Sequence, residues 1–291
     1  MSAWISLLEI LTVTISGLGQ LIIASLGLAI IFGMMGIINL GHGEFIMVGA
    51  YATGVAYIQG IPLVAAILFG GAITGIIGLF IERVAIRHLY DRPIDSMVAT
   101  WGIALVLTQT VLLVFGPTFS SIPTPFGTLS YGAFSTSMYR VVLAGVALLL
   151  LLSLYLLFYY TEFGLHARAT IQDAETARSL GINTDRVYMI TFFIGSVVSG
   201  IAGGLFAPII SIVPTLGQPF LIDAFVMVIV GGANILLGIL SAGLSLSVIN
   251  GIVDFTLGSL AAQVSLLLAA ILIVRIYPQG LSDYIERRYG L

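Results

Sequence analysis

The sequence predicts an all-α polytopic integral membrane protein, with eight or nine transmembrane or partly re-entrant helices and one short cytoplasmic helix. Three observations predict this. The chain of 291 residues is 59% hydrophobic and only 8% charged, whereas soluble domains carry roughly 25% charged residues. Its mean hydropathy is +1.16. Its uncharged runs are continuous and long, unlike the alternating segments of about ten residues that build a membrane barrel. A single transmembrane domain over residues 1–291 is expected, with one structured loop at about 162–187.

A crossing helix needs about 20 apolar residues. The first uncharged run is Ile10 to Gly43, enough for a generous helix and a turn. Phe45 to Ile58 is shorter and reads as a partial or tilted segment. Pro62 to Ile81, Met97 to Phe115, Val141 to Tyr160 and Tyr188 to Ser211 follow. Ala224 to Val253 is uncharged for 30 residues, about 45 Å as one helix. That exceeds a bilayer core, and Gly231-Gly232-Ala233-Asn234 divides it into two segments. Leu257 to Val274 is the last. The N-terminus lacks the basic region and A-x-A-like site of a cleaved signal, so the first run is expected to be a retained helix.

Orientation follows the arginines. Arg83, Arg87 and Arg92 form one cluster, Arg168, Arg178 and Arg186 a second, and Arg275, Arg287 and Arg288 a third. The loop from Gly116 to Tyr139 and the turns near Pro214 to Pro219 and near Asp254 have no basic residue. Alternation places the clusters and the C-terminus in the cytoplasm, in a multi-pass protein of the cell membrane.

Two absences exclude function classes. There is no Cys, hence no thiol nucleophile, iron–sulfur site or Cys-based zinc site. All ten basic residues are Arg. A nucleotide-binding P-loop needs a Lys on the phosphates, so this chain cannot carry that ATPase site. Neither a cofactor nor a nucleic-acid partner is expected.

The structured loop runs from Thr161 to Val187. Within it, Arg168 to Leu180 reads RATIQDAETARSL, mostly helix formers, and Gly181 suits a left-handed C-terminal cap. Ala167, Ile171, Ala174, Ala177, Leu180 and Ile182 recur near helical spacing. Asp173 and Glu175 near the front and Arg178 near the end match the helix dipole. One short surface helix with a small, Ala-rich face is expected. It either covers the ends of its own bundle or docks into a groove on a cytoplasmic partner.

The stretch IINLGHGEFIMVGAY over Ile37 to Tyr51 closely resembles a block of the permease subunits of branched-chain amino-acid ABC importers. RATIQDAETARSLGINTDRVYMITFFIGSVVSGIAGG over Arg168 to Gly204 resembles their coupling loop and the helix after it. Val230-Gly231-Gly232 and Tyr277-Pro278-Gln279-Gly280-Leu281 also fit. That family includes urea and short-amide importers. Arg92 to Gln109, RPIDSMVATWGIALVLTQ, and Ala224 to Gly232, AFVMVIVGG, look more like the urea type. Ala233 departs from the further Gly common in that block, and the N-terminus lacks the extension frequent in urea-type members. The resemblance implies a heteromeric importer: two homologous permease chains, two cytoplasmic ATPase subunits and an extracytoplasmic binding protein. It implies a coupling role for Arg168, Asp173, Ala174, Ala177, Leu180 and Gly181.

Candidate pathway residues are His42, Glu44, Gln109, Gly231, Gly232 and Asn234. His42 and Glu44 lie in GHGE, where the glycines are expected to interrupt the helix. Intramembrane ionisable groups are functional candidates by default. Glu44 either accepts hydrogen bonds from a substrate amide or amine, or caps the broken helix. H-x-E without a second His nearby is not a zinc motif. Gly231 to Asn234 marks a second interruption, read either as part of the pathway or as close helix packing. Gln109 either lines the pathway or bonds a neighbouring helix. Asp223 and Asp254 read as boundary residues, and GLSLS over Gly243 to Ser247 as a small-residue stretch rather than a serine nucleophile. The competing functions are the permease of an ATP-driven importer, a stand-alone carrier or urea facilitator, and an intramembrane enzyme. The enzyme lacks a nucleophile–base pair or a metal motif.

Overall fold

A computed structural model describes residues 3–90, 92–131, 134–232 and 234–289. Its order is α1 (Ala3–Met35), α2 (His42–Ile58), α3 (Leu63–Val84), a single 3-10 turn (Ile86–His88), α4 (Pro93–Phe115), β1 (Thr128–Tyr131), β2 (Phe134–Ser137) and α5 (Met138–Tyr160). There follow α6 (Glu162–Gln172), α7 (Ala174–Ser179), α8 (Thr184–Phe206), α9 (Gly217–Gly231), α10 (Ile235–Leu257), α11 (Ser259–Ile276) and α12 (Gly280–Tyr289). Among the described residues seven helices are long and apolar enough to cross a membrane. The two remaining predicted segments are α2, of 17 residues, and α9, of 15. At 1.5 Å per residue neither spans a core of about 30 Å. The expected eight or nine segments therefore resolve into seven full helices and two short ones.

Local chemistry sets the boundaries. Pro93 opens α4 where its missing N–H costs nothing. Gly116 ends it with φ 79, a conformation that favours glycine. Asn183 caps α8 by accepting from the Arg186 N–H at 3.0 Å. The expected plain loop between α4 and α5 contains an antiparallel hairpin, with Thr128 opposite Ser137 and Leu129 opposite Thr136.

The chain forms two compact units. One holds residues 26–123 and 152–222. Its centre is α2, enclosed by α3 and α8, with 13 of the 17 residues of α2 buried. Small residues permit this. A Cβ on Gly203 would strike the backbone of Ile46 and Ala50, and one on Gly49 the backbone of Gly200. An apolar cluster of Ile31, Ile37, Phe45, Ile81, Ile86 and Phe192 fills one end, where Phe45 and Phe192 meet edge to face at 6.0 Å. The other unit holds residues 1–25, 124–151 and 223–291. There α10 and α11 pack as a hairpin turned at Gly258, Gly19 of α1 lies against Ala144 of α5, and Gly251 of α10 against Thr14 of α1.

Candidate functional site

The break between α1 and α2 is held by side chains. Asn39 Oδ1 accepts the Gly41 N–H at 3.0 Å. Thr100 of α4 accepts the Leu40 N–H at 3.0 Å and donates to the Ile38 carbonyl at 3.3 Å. Irregular backbone inside a membrane protein persists only when its polar groups find such partners. His42 opens α2, is fully buried, and its Nδ1 lies 3.2 Å from the Ser199 hydroxyl of α8. Glu44 lies in the first turn of α2, where the helix dipole favours an anion. Its carboxyl lies near its own backbone N–H and the Thr108 hydroxyl of α4, and Oε2 is buried with no hydrogen-bond partner. The first residue of α9 packs on this turn, for a Cβ on either Gly43 or Gly217 would strike the other's backbone.

Among the residues the sequence nominated, the fold thus joins His42 and Glu44 to one another, together with Ser199, Thr100 and Thr108. It does not bring Gln109 to them: that side chain is exposed on α4, whose buried stripe is Ser96, Thr100, Ala104 and Val111. Gln109 sits one residue off that stripe's neighbour Thr108, and the helical turn carries it outward. Tyr51 and Asn39 belong to the polar surroundings that sequence reasoning missed. Tyr51 lies seven residues from Glu44, hence on its face, and that spacing was the available signal.

The second break is a built joint. Gly232 takes φ +87 and lies against Gln279 and Gly280, and Gly231 packs on Gly238. Asn234 Oδ1 caps α10, accepting the Leu236 and Leu237 N–H groups at 3.1 Å each. Its Nδ2 donates to Glu286 of α12 at 2.8 Å. Asn234 was expected to offer a donor and an acceptor to the pathway. The acceptor is engaged by the helix it caps, and the donor by Glu286, because α12 folds back onto the break. Ala233 lies outside the described residues. Among the described residues no cluster of His, Asp or Glu could hold a metal ion.

The segment after α5 is two helices, not the single one expected over Arg168 to Leu180. Asp173 divides them. It takes extended φ/ψ and its Oδ1 accepts the Glu175 and Thr176 N–H groups at 3.0 and 3.1 Å, capping α7. Its Oδ2 accepts the Thr176 hydroxyl at 2.5 Å. These bonds, the Thr176 hydroxyl foremost, hold the Asp173 carboxyl below the usual carboxylate range. Gly181, with φ +89, closes α7 as expected. The Ile182 N–H bonds the Ala177 carbonyl at 3.0 Å and the Gly181 N–H the Arg178 carbonyl at 2.9 Å, a Schellman pair. Arg168 donates to the Phe158 carbonyl and lies over the Tyr159 ring. Arg178 bonds Thr184 at 2.6 Å and pairs with Asp185. The small face does not point outward: Ala167 and Ala177 are buried and Ala174 is partly so. The apolar tips that remain outside are Leu165, Ile171 and Leu180, the last 78% exposed.

The model of a known family, the permease component of branched-chain amino acid transport systems, matches residues 7–276. The chain belongs to that family. As such a permease it is a transport subunit rather than an enzyme, and a multi-pass membrane protein. It is 28% identical over 275 residues to the high-affinity branched-chain amino acid transport system permease protein LivH of Salmonella typhimurium, across 88% of this chain and 89% of that one. It is 29% identical to LivH of Escherichia coli K12 over the same shares. To BraD of Pseudomonas aeruginosa it is 27% identical, across 77% of this chain and 78% of the relative. No solved structure matches the permease.

Proposed function

We propose that the chain is one of two homologous permease subunits of an ATP-driven importer, and that its cargo is a branched-chain amino acid. The observation that carries this is the family match over nearly the whole chain, joined to relatives whose names specify branched-chain amino acid transport. Two ATPase subunits supply the energy that a Lys-free chain cannot capture itself. A binding protein delivers cargo from the opposite side.

The segment from Thr161 to Val187 is the coupling element and faces the cytoplasm, as does the C-terminus. Arg168, Asp173, Ala177 and Gly181 set its shape, while Leu180, Ile171 and Ala174 meet the ATPase. ATP binds one arrangement of the assembly better than the other, and that difference in affinity moves the permease. His42 and Glu44 line the pathway at the broken start of α2.

The test is uptake of labelled leucine and labelled urea into proteoliposomes. One set holds the chain alone. Another holds it with its co-purified partners, ATP and a binding protein. Leucine uptake only in the complete mixture is expected, and Leu180→Asp in that mixture should abolish uptake while α7 stays folded. Urea uptake without leucine uptake would replace the substrate. Transport by the chain alone would overturn the importer reading.

A further inference from the structure

The core of the 26–123 and 152–222 unit leaves polar atoms without partners: three on α2, Asn39 in the break before it, and the Thr191 hydroxyl on α8. Asn39 Nδ2, Glu44 Oε2, the Tyr51 hydroxyl and the Thr53 hydroxyl are all buried and make no hydrogen bond. Asn39 is 1% exposed, Glu44 7% and Tyr51 2%. Leaving such groups unsatisfied is costly, most of all for a charged one. Within a fold whose other broken backbone is so fully bonded, that cost calls for a ligand.

Their placement is ordered. Glu44 and Tyr51 are seven residues apart, two turns of α2, and share a face. On α4, Thr108 and Phe115 are also seven apart. Thr108 lies near the Glu44 carboxyl, and Phe115 packs on Tyr51 with ring centroids 5.1 Å apart. Leu40 bonds Thr100 at the start of the same seam. α2 and α4 therefore run side by side in register, with a carboxylate oxygen and a phenol hydroxyl left free between them. α4 is the looser partner. Outside its stripe of Ser96, Thr100, Ala104 and Val111 it is largely uncovered, with Ile94 76% and Leu113 85% exposed. Because both atoms are buried, a ligand reaches them only if α4 moves.

We propose that this seam binds the zwitterionic head of an α-amino acid: Glu44 Oε2 accepts the ammonium group, and the Tyr51 hydroxyl donates to the carboxylate. The inference rests on the importer reading and deepens it. An ammonium donor gives Glu44 Oε2 a charge-assisted bond that a neutral amide such as urea cannot, so urea is the poorer ligand. The apolar walls supplied by Phe115 and Phe119, the latter 5.4 Å from Tyr51, suit an aliphatic side chain.

The experiment measures labelled leucine binding to the permease–ATPase assembly in nanodiscs without binding protein, with isopentylamine and 4-methylpentanoate as competitors. The variants are Glu44→Gln, which keeps an oxygen for Thr108 and the α2 N–H, and Tyr51→Phe, which keeps the packing on Phe115 and Phe119. Expected is a loss of at least tenfold in leucine affinity for Glu44→Gln, and loss of the amine's advantage over the acid as competitor. Tyr51→Phe should weaken 4-methylpentanoate and leave isopentylamine unchanged. Both variants should co-purify with the ATPase in wild-type amounts. A Glu44 that only caps α2 would shift the melting temperature and leave the competitor ratio unmoved; that result, or wild-type leucine affinity in an assembled Glu44→Gln complex, overturns the proposal. Leucine uptake by the wild-type assembly is measured in the same preparation. If uptake succeeds while the Glu44 result fails, the inference alone falls. If wild type carries no leucine, the importer's substrate falls with it.

Discussion

Asp173 carries a charge that shapes a loop, and its bonds set how that loop answers to pH. The folded carboxyl is held below its usual range, chiefly by the Thr176 hydroxyl. The ionised cap therefore stabilises α7 in full above the unfolded value of about 3.9. That stabilisation is lost as pH falls through the lower folded value. Amide exchange at Glu175 and Thr176, corrected for intrinsic rate, should stay flat from about pH 7 to pH 5 and rise only below about pH 4. At neutral pH Asp173→Ala should expose the bond after Arg178 to trypsin, and Asp173→Asn should protect it nearly as well as wild type, because Asn caps comparably. A response near neutrality in wild type would show that another group holds the loop. In the sequence, Asp173 stood out as an acid near a helix front. That it ends one helix and starts another was hidden, because RATIQDAETARSL has helix formers on both sides and only the backbone geometry distinguishes an interior Asp from a cap.

At the scale of elements, α2 owes its position to missing side chains. Gly203 of α8 faces the Ile46 carbonyl and Ala50 N–H, leaving no room for a Cβ. Gly145 of α5 meets nothing within 4 Å. Gly203→Val should cost about 1–3 kcal/mol or more through overpacking, read as a lower melting temperature and reduced ATPase co-purification. Gly145→Ala should be neutral or stabilising by about 0.5–1 kcal/mol. Equal effects at the two sites would contradict the packing. The long helices were legible because twenty apolar residues have few other readings. The break before His42 was legible from its glycines. The β1–β2 hairpin was not, since four-residue strands carry too little alternation to register. Nor was α12: it is short and amphipathic, and its partners at Gly232 and Asn234 are about fifty residues away in sequence. The same blindness made Asn234 look available. Its cap on α10 is local, but its donor goes to Glu286, a contact that no local pattern announces.

For the whole molecule, the legible part is the class, and the proposed sidedness is what remains to be measured. Arginines alone carry the orientation signal, and the complete absence of Cys makes the measurement clean. Ser121, Thr215 and Ser179 are exposed, and all three belong to the same compact unit. Ser121 follows α4 and Thr215 follows α8, at the ends remote from the arginine clusters; Ser179 ends α7, between Arg178 and Arg186. Each single Cys variant, expressed in intact cells, reports one position against no background. Ser121→Cys and Thr215→Cys should react with a membrane-impermeant maleimide from outside. Ser179→Cys should react only after the cells are opened, and adding the ATPase subunits should slow it, since Leu180 beside it is proposed to meet them. Outside labelling at Ser179 would invert the topology and remove the coupling loop from the ATPase's reach. Inside labelling with no slowing would keep the topology and move the docking contact elsewhere on the cytoplasmic face.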